Sequence, residues 1–562
     1  MKKMYLILIA TSVAFSSCDN FDSTNQTGDN SMSANVIVRD YSITAENSYS
    51  DLFLDSTAVE NYIGTKNIND TAARKIRNFY AVRNYQFAWF TTEGFTEEGL
   101  SIYDLYNKNR DNVKNNESTL QRIDSLITQD SLQVSSTDSS YVQTEIALTN
   151  TFIQHQDQFV HSGNPNQLYY IIPVKKMDPQ HLADSLSKNP IAQTAADSAS
   201  MGSRKAYNLM QEQLQKYVSI LKNGGWQPVP AEVRSAKKGA SSPAITLLKK
   251  RLQLTGDFIE SDTSQVFSDT LQASIKDFQR RYGLKTDGLI TDTLITVLNV
   301  PAEQRLQQIL LNLNRMQWLE NKQHENIVVV NIPEYMLHVY EGGNKTFEMP
   351  VVVGKEGSNT VMFNSNINQV VFSPYWNIPY SIVRDEIMPA MKKNSNYLNS
   401  KNMEIVGNNN ESVPKMRQLP GAQNSLGKVK FLFPNRYDIY LHDTPAKDLF
   451  QNDKRAFSHG CIRVADAEKL AQYLLKDQPE WTPEKIKQAM NSKSEQQVEV
   501  KSPVAVSITY LTAWVDENGK INFREDIYGH DQQTAKRMFS TSALASTPSS
   551  QPANDTSRLA QP

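Results

Sequence analysis

Near residue 320 the spacing of apolar residues changes, and that change divides the chain into two kinds of fold. Before it, apolar residues recur at helical intervals; after it, they alternate or run together as in strands. Downstream, Ile327–Ile332 is a β-rich run and Tyr335–Tyr340 alternates. Phe347–Val353 follows a turn at Gly342-Gly343-Asn344, which is the pattern of a hairpin. Further strands are expected at Val370–Phe372, Val429–Phe433, Tyr437–Leu441 and Val504–Trp514, with helices at 382–393 and 466–476. Upstream, Leu209, Leu214, Tyr217, Val218 and Leu221 share a helical face that stops at Gly224-Gly225. An aromatic stretch from Phe79 to Phe90 reads as packed core. The expected class is multidomain α+β: a helical scaffold over 51–242, a three-helix module over 243–300 and a β-rich domain over 301–531.

The middle module has its own punctuation. Ile245, Leu248 and Leu252 mark one helix, and Leu271, Ile275, Phe278 and Tyr282 mark a second. Ser268 or Asp269 is placed to cap the second, and Thr291 or Asp292 a third that carries Leu294, Val297 and Leu298. With Phe278-Gln279, Tyr282-Gly283 and Asp287-Gly288, this pattern resembles the peptidoglycan-binding domain found beside many cell-wall enzymes. Helical spacing alone names no ligand; the resemblance supplies peptidoglycan.

At the start, Lys2 and Lys3 precede a short apolar run ending at Phe15, followed by Ser16-Ser17-Cys18. This reads as a signal peptide over 1–17, too short to span a bilayer comfortably. Cys18 after two small residues resembles the lipobox of bacterial lipoproteins, although Phe15 replaces the usual aliphatic residue. The resemblance implies lipidation of Cys18 and attachment to a membrane; the alternative is an ordinary signal peptide. Residues 18–50, rich in Ser, Asn, Asp and Thr, read as a tether, and 532–562 as a disordered tail. The expected location is the cell envelope, facing the periplasm.

A length of 562 residues allows two to four domains, and a net charge of −2 gives no electrostatic case for a nucleic-acid partner. No Walker A loop, Gly-x-Gly-x-x-Gly or His-Glu-x-x-His occurs, so no cofactor is expected.

The chain has two cysteines, so once Cys18 is cleaved off or acylated, Cys461 is the one free thiol left. It lies in Ser458-His459-Gly460-Cys461-Ile462-Arg463, with His442 19 residues upstream at the end of an apolar run. A thiol near an imidazole is the basic equipment of a cysteine nucleophile. The helix expected just after Cys461 and a neighbouring imidazole would both favour thiolate. Backbone N–H groups at Gly460 and Cys461 are candidates for an oxyanion hole. By spacing alone, either His442 or His459 could be the base. A zinc site from His442, His459 and Cys461 would need ligands at His-x-Cys spacing and lacks a Glu base, so no metal is expected.

The His442 and Ser458–Arg463 segments resemble the signature of the YkuD-type L,D-transpeptidases. Trp376-Asn377-Ile378-Pro379, Arg417–Gly421, Asn424–Phe431, Ile439–Pro445, Gly224-Gly225-Trp226 and Asp526–Gly529 are similar to the large YcbB-type branch of that family. The resemblance implies that Cys461 attacks the carbonyl of the L-centred third residue of a tetrapeptide stem and expels the terminal D-alanine. A side-chain amine of another stem then resolves the thioester to a 3→3 cross-link. It further implies His442 as the proton carrier and the Asp443 main-chain carbonyl as the group that orients it. Arg463, His459, Ser458 and Trp376 become candidate substrate contacts, and a lid is expected over about 380–428. Three alternatives remain open: an L,D-carboxypeptidase, an enzyme that links proteins to peptidoglycan, and a non-catalytic wall-anchoring lipoprotein. Oligomeric state is not legible.

Overall fold

The computed structural model describes residues 38–108, 133–156, 170–188, 204–234, 236–319, 326–407 and 412–541. The leader, Cys18, Asn408–Asn410 and the tail beyond 541 lie outside the described residues.

The β-rich part is built around a nine-stranded sheet. Its strands are β1 (Asn326–Asn331), β2 (Met336–Glu341), β3 (Asn344–Gly354), β4 (Phe363–Phe372) and β5 (Val429–Leu432). They continue with β6 (Leu441–His442), β7 (Ala456–Ser458), β8 (Ile462–Val464) and β9 (Gln496–Thr509). Their order is β7-β3-β8-β6-β5-β4-β9-β1-β2, and β2 also pairs with β3, so eight strands close into a ring with β7 appended. Closure leaves few unpaired backbone groups at an edge. Val328, Val330, Leu337, Val339, Val370 and Phe431 alternate into its core.

Several strand limits differ from expectation. β4 starts seven residues early, because Phe363 and Ile367 supply the buried side while polar residues between them obscure the pattern. β9 begins at Gln496, with a register irregularity between Glu499 and Val504. Thr509 ends it, and Ala513–Val515 pairs separately with Ile521–Phe523. The expected strand Tyr437–Leu441 contracts to β6, since Asp438 adopts φ +51°, which no strand accommodates.

The helices are α1 (Ser56–Thr65), α2 (Asp70–Ala81), α3 (Glu97–Lys108), α4 (Ser139–His155), α5 (Pro179–Ser187) and α6 (Arg204–Lys222). Next come α7 (Pro243–Thr255), α8 (Asp269–Arg281), α9 (Asp292–Leu298) and α10 (Ala302–Trp318). Last are α11 (Ala467–Leu474), α12 (Pro483–Met490) and α13 (His530–Met538). The aromatic stretch packs as expected: Phe79, Trp89 and Phe152 meet at centroid distances of 5.7–6.2 Å.

Helix α10, assigned from sequence to the β-rich domain, is buried almost all round and packs against α5, α6 and α13. Its polar residues are not solvent-facing; they bond across units. Gln308 donates to the Thr512 and Arg524 carbonyls, and Asn314 to that of Tyr170. Arg315 lies between Glu97 (2.7 Å) and Asp531 (2.5 Å). Buried polar groups are tolerable only when paired in this way.

The three-helix module is capped by Ser268 and Thr291, whose side chains accept from Leu271 N–H and Leu294 N–H. It does not stand alone. Its core is continuous with that of the scaffold, and Tyr282 meets Phe523 at 5.4 Å. Arg281 pairs with Asp257 and reaches the Ile521 carbonyl, both bonds being buried. Removing one member of such a pair strands a buried charge. Asp257→Ala is therefore expected to lower unfolding stability by about 3–5 kcal/mol, measured by denaturant titration. A change within the error of the wild-type curve would mean the pair carries no weight.

Two boundaries need correction. The expected tether to residue 50 ends earlier: Ile43 and Tyr49 are buried, and Tyr49 N–H donates to the Val174 carbonyl at 3.0 Å. The expected tail from 532 begins later: α13 buries Ala535 and Met538, and Ser540 N–H bonds Met177. A few apolar anchors suffice there within otherwise polar sequence. Among the described residues no helix is long and apolar enough to cross a membrane.

Candidate active site

Strands β5, β6 and β8 lie side by side, with Lys430 opposite His442 and His442 opposite Arg463. Cross-strand partners share a face of the sheet. Leu441 and Ile462 point into the core, so Lys430, His442 and Arg463 stand in a row on the other face. Cys461 and Tyr440, two residues before Arg463 and His442, belong to the same face.

His442 is buried, and its Nδ1 lies 2.5 Å from the Asp443 carbonyl oxygen. The Asp443 carboxylate is held in turn by Lys428 N–H (2.9 Å) and Lys447 Nζ (2.6 Å). Gly427, at φ +62°, is packed so closely on that carboxylate that a Cβ would strike it. Burial, and then the Arg463 charge, push the imidazole down to about 3, against weaker support from the Asp443 and Leu426 carbonyls. It is therefore neutral at ordinary pH. With Nδ1 donating to Asp443, Nε2 is left as the basic atom.

Cys461 is half-buried. Its Sγ lies 3.5 Å from the Asp438 carbonyl and also contacts Tyr440. Burial pushes the thiol up. Among the described residues no hydrogen bond joins Cys461 to His442. Cys461 immediately precedes β8, the strand paired with β6, and its thiol is directed to the Asp438 carbonyl. Resting-state looseness of this kind is common in free enzymes.

The loop around Cys461 revises two expected roles. Ser458 Oγ is buried and committed to the loop, donating to the Cys461 carbonyl (2.5 Å) and accepting from Gly460 N–H (3.2 Å). Ser458 is thus not placed to touch substrate, and the Gly460 N–H is already used, which removes it as a free oxyanion donor. The Gly460 carbonyl accepts from Thr360 Oγ1 at 2.8 Å, and its φ of +113° explains the glycine. Among the described residues the Cys461 N–H has no protein acceptor, leaving it the available donor.

His459 turns away from His442 and pairs with Glu386 at 3.0 Å. Glu386 lies in the π-helical turn Val383–Ile387 of the expected lid. That segment has its own cluster of Ile378, Val383, Ile387, Met403, Val413 and Met416, with Trp376 packed against it. Trp376, partly buried, also pairs through its backbone with Gln418 in a small three-stranded sheet. Arg463 has no carboxylate partner among the described residues, and its Nε is buried without an acceptor. No three His, Cys, Asp or Glu side chains are grouped there as metal ligands.

Sequence reasoning missed Tyr440, Lys430 and Thr360. Tyr440 and His442 stand two apart on one strand-like run, a parity that places both on the same face. Thr360 comes from a segment with no local signal for the site, and Lys430 from the Asn424–Phe431 motif, which by itself singles out no residue.

Comparison with known proteins divides the chain similarly. Residues 325–506 match the L,D-transpeptidase catalytic domain of the YkuD family, residues 74–214 a scaffold domain, and residues 241–298 the "Putative peptidoglycan binding domain". A Haemophilus influenzae protein named "Putative L,D-transpeptidase" is 34% identical over 242 residues, covering 40% of this chain and 48% of that protein. The chain thus matches about half the length of this curated relative. Among solved structures, an L,D-transpeptidase of Xylanimonas cellulosilytica is 12% identical, with a TM-score of 0.16, covering 50% of this chain and 100% of that one. One of Stackebrandtia nassauensis is 14% identical, with a TM-score of 0.20, covering 49% and 96%. At such scores the domain matches bear the assignment. The chain carries a YkuD-type L,D-transpeptidase catalytic domain, preceded by a helical scaffold domain and a peptidoglycan-binding domain.

Proposed function

We propose that the protein is a peptidoglycan L,D-transpeptidase that forms 3→3 cross-links through a thioester on Cys461. The observation that carries this is the carbonyl-oriented imidazole on β6 with the free thiol just before β8, the strand paired with it, within the matched catalytic domain. Cys461 Sγ, rotated toward His442, attacks the third-residue carbonyl of a tetrapeptide stem while Nε2 takes the thiol proton. A C–S bond forms, and the C–N bond to the terminal D-alanine breaks. The proton passes from His442 to the departing amine. A side-chain amine of a second stem then attacks the thioester, gives its proton to His442 and restores the thiol. Cys461 N–H faces the developing oxyanion, and the Asp443 carbonyl holds the ring through each proton transfer.

Neutral thiol and neutral imidazole are the resting forms, because burial disfavours both charged partners. Proton transfer therefore accompanies attack. The substrate chemistry and the peptidoglycan-binding module support an envelope location. Export by the N-terminal leader and lipid attachment at Cys18 belong to the same reading. Incubation of the full chain with a defined tetrapeptide stem, with and without an amine acceptor, tests it. The expected products are free D-alanine and an acceptor-dependent dimer, read by mass spectrometry. Tripeptide alone, formed at the same rate with acceptor present, would make the protein a carboxypeptidase instead.

A further inference from the structure

The row of residues through His442 continues across the sheet as Val371, Lys430, His442, Arg463 and Val352. The valines at its ends are buried. Two cations therefore bracket the imidazole on one face, each flanked by apolar surface. Neither forms an ion pair among the described residues, and the Arg463 Nε is buried with no acceptor. Elsewhere in the core Arg315 pairs with Glu97 and Asp531 and Arg281 with Asp257, while the buried Arg251 and Arg305 bond main-chain carbonyls; for Arg463 no such acceptor is seen among the described residues. Lys430 Nζ stands 5.8 Å from the Tyr440 ring centroid, on the side of the row where the thiol lies. Two half-buried cations without an ion pair carry a desolvation cost that a bound anion would offset, and around Lys430 the Tyr440 ring and the more distant Glu495 carboxylate offset it only in part.

We propose that Lys430 and Arg463 form a carboxylate clamp across His442 that recognises an anionic end of the donor stem. The inference rests on the transpeptidase reading. Two carboxylates of a stem fit the chemistry: that of the terminal D-residue, and one on the side chain of the third residue where the diamino acid carries it. Guanidinium and ammonium donors both suit a carboxylate, the first as a fork and the second as a point charge. The clamp also bears on the base. The Arg463 charge opposes protonation of His442, and burial holds Lys430 low as well. A bound carboxylate cancels that repulsion and makes the imidazole more basic when the stem is in place.

The test uses three synthetic tetrapeptide stems: the free acid, its C-terminal amide, and a form amidated only at the third-residue carboxyl. Rates are measured on the full chain and on its Lys430→Met and Lys430→Arg variants. Calorimetric binding of the same peptides is measured on the Cys461→Ala protein. One charge-assisted contact predicts a KM roughly tenfold lower for the free acid than for one of the amides. Which amide suffers identifies the carboxylate. Lys430→Met should raise the free-acid KM by a similar factor without changing that amide, and Lys430→Arg should restore it. Equal binding of all three stems would overturn the clamp, as would equal losses on all three in Lys430→Met. Acid-selective binding by Cys461→Ala without any D-residue release by the wild type would leave the clamp standing and sink the transpeptidase reading.

Discussion

Cys461→Ala is expected to abolish D-alanine release and dimer formation, a loss on the order of 10³-fold or more, with the fold intact. No other thiol exists among the described residues, so nothing can substitute as nucleophile. The structural cost is small for stated reasons. The side chain is half-buried, and its sulphur makes a long contact of 3.5 Å to the Asp438 carbonyl and a further one to Tyr440. The loop is held by Ser458 and Thr360 through backbone atoms that alanine retains. Covalent labelling by a carbapenem or a thiol probe, mapped by mass spectrometry, should vanish with the sulphur. Dimer formation at the wild-type rate would sink the assignment. Loss of activity together with a lowered melting temperature would mean that the thiol serves packing.

The candidate thiol and histidine and the module order were legible because each rests on local signals: a residue type, a cap, a period. What was not legible depends on strand register. Lys430 is not singled out within its motif; it enters the site because β5 pairs with β6 at that residue. Ser458 and Gly460 looked available to substrate by proximity to Cys461, yet the loop consumes both groups internally. Trp376 sits in a distinctive motif, but its ring packs on the cluster under the lid. The boundary expected at 301 counts α10 with the β-rich domain, whereas its Gln, Asn and Arg residues bond buried carbonyls and acids from distant segments. Polar side chains satisfied by tertiary partners are invisible to any periodicity.

His442→Ala should remove turnover almost as completely as loss of the thiol, whereas His459→Ala should change it only a fewfold. The difference follows from placement. His442 is buried, fixed by a 2.5 Å contact to Asp443 and aligned with the Cys461 strand. His459 is substantially exposed and pairs with Glu386, also exposed; such surface pairs contribute little. A pH titration of stability tests whether the ring is held neutral. The native ring protonates only near 3, against 6.5 for an ordinary histidine. Below about pH 6.5 the unfolded chain therefore gains a proton that the native chain refuses, and stability falls as pH drops toward 3. His442→Ala deletes that proton, so its stability should fall less steeply than the wild type's between pH 6.5 and about 4. Equal losses of turnover in the two variants would reassign the base to His459. An unchanged acid-side slope in His442→Ala would mean that the imidazole is not held neutral by its surroundings.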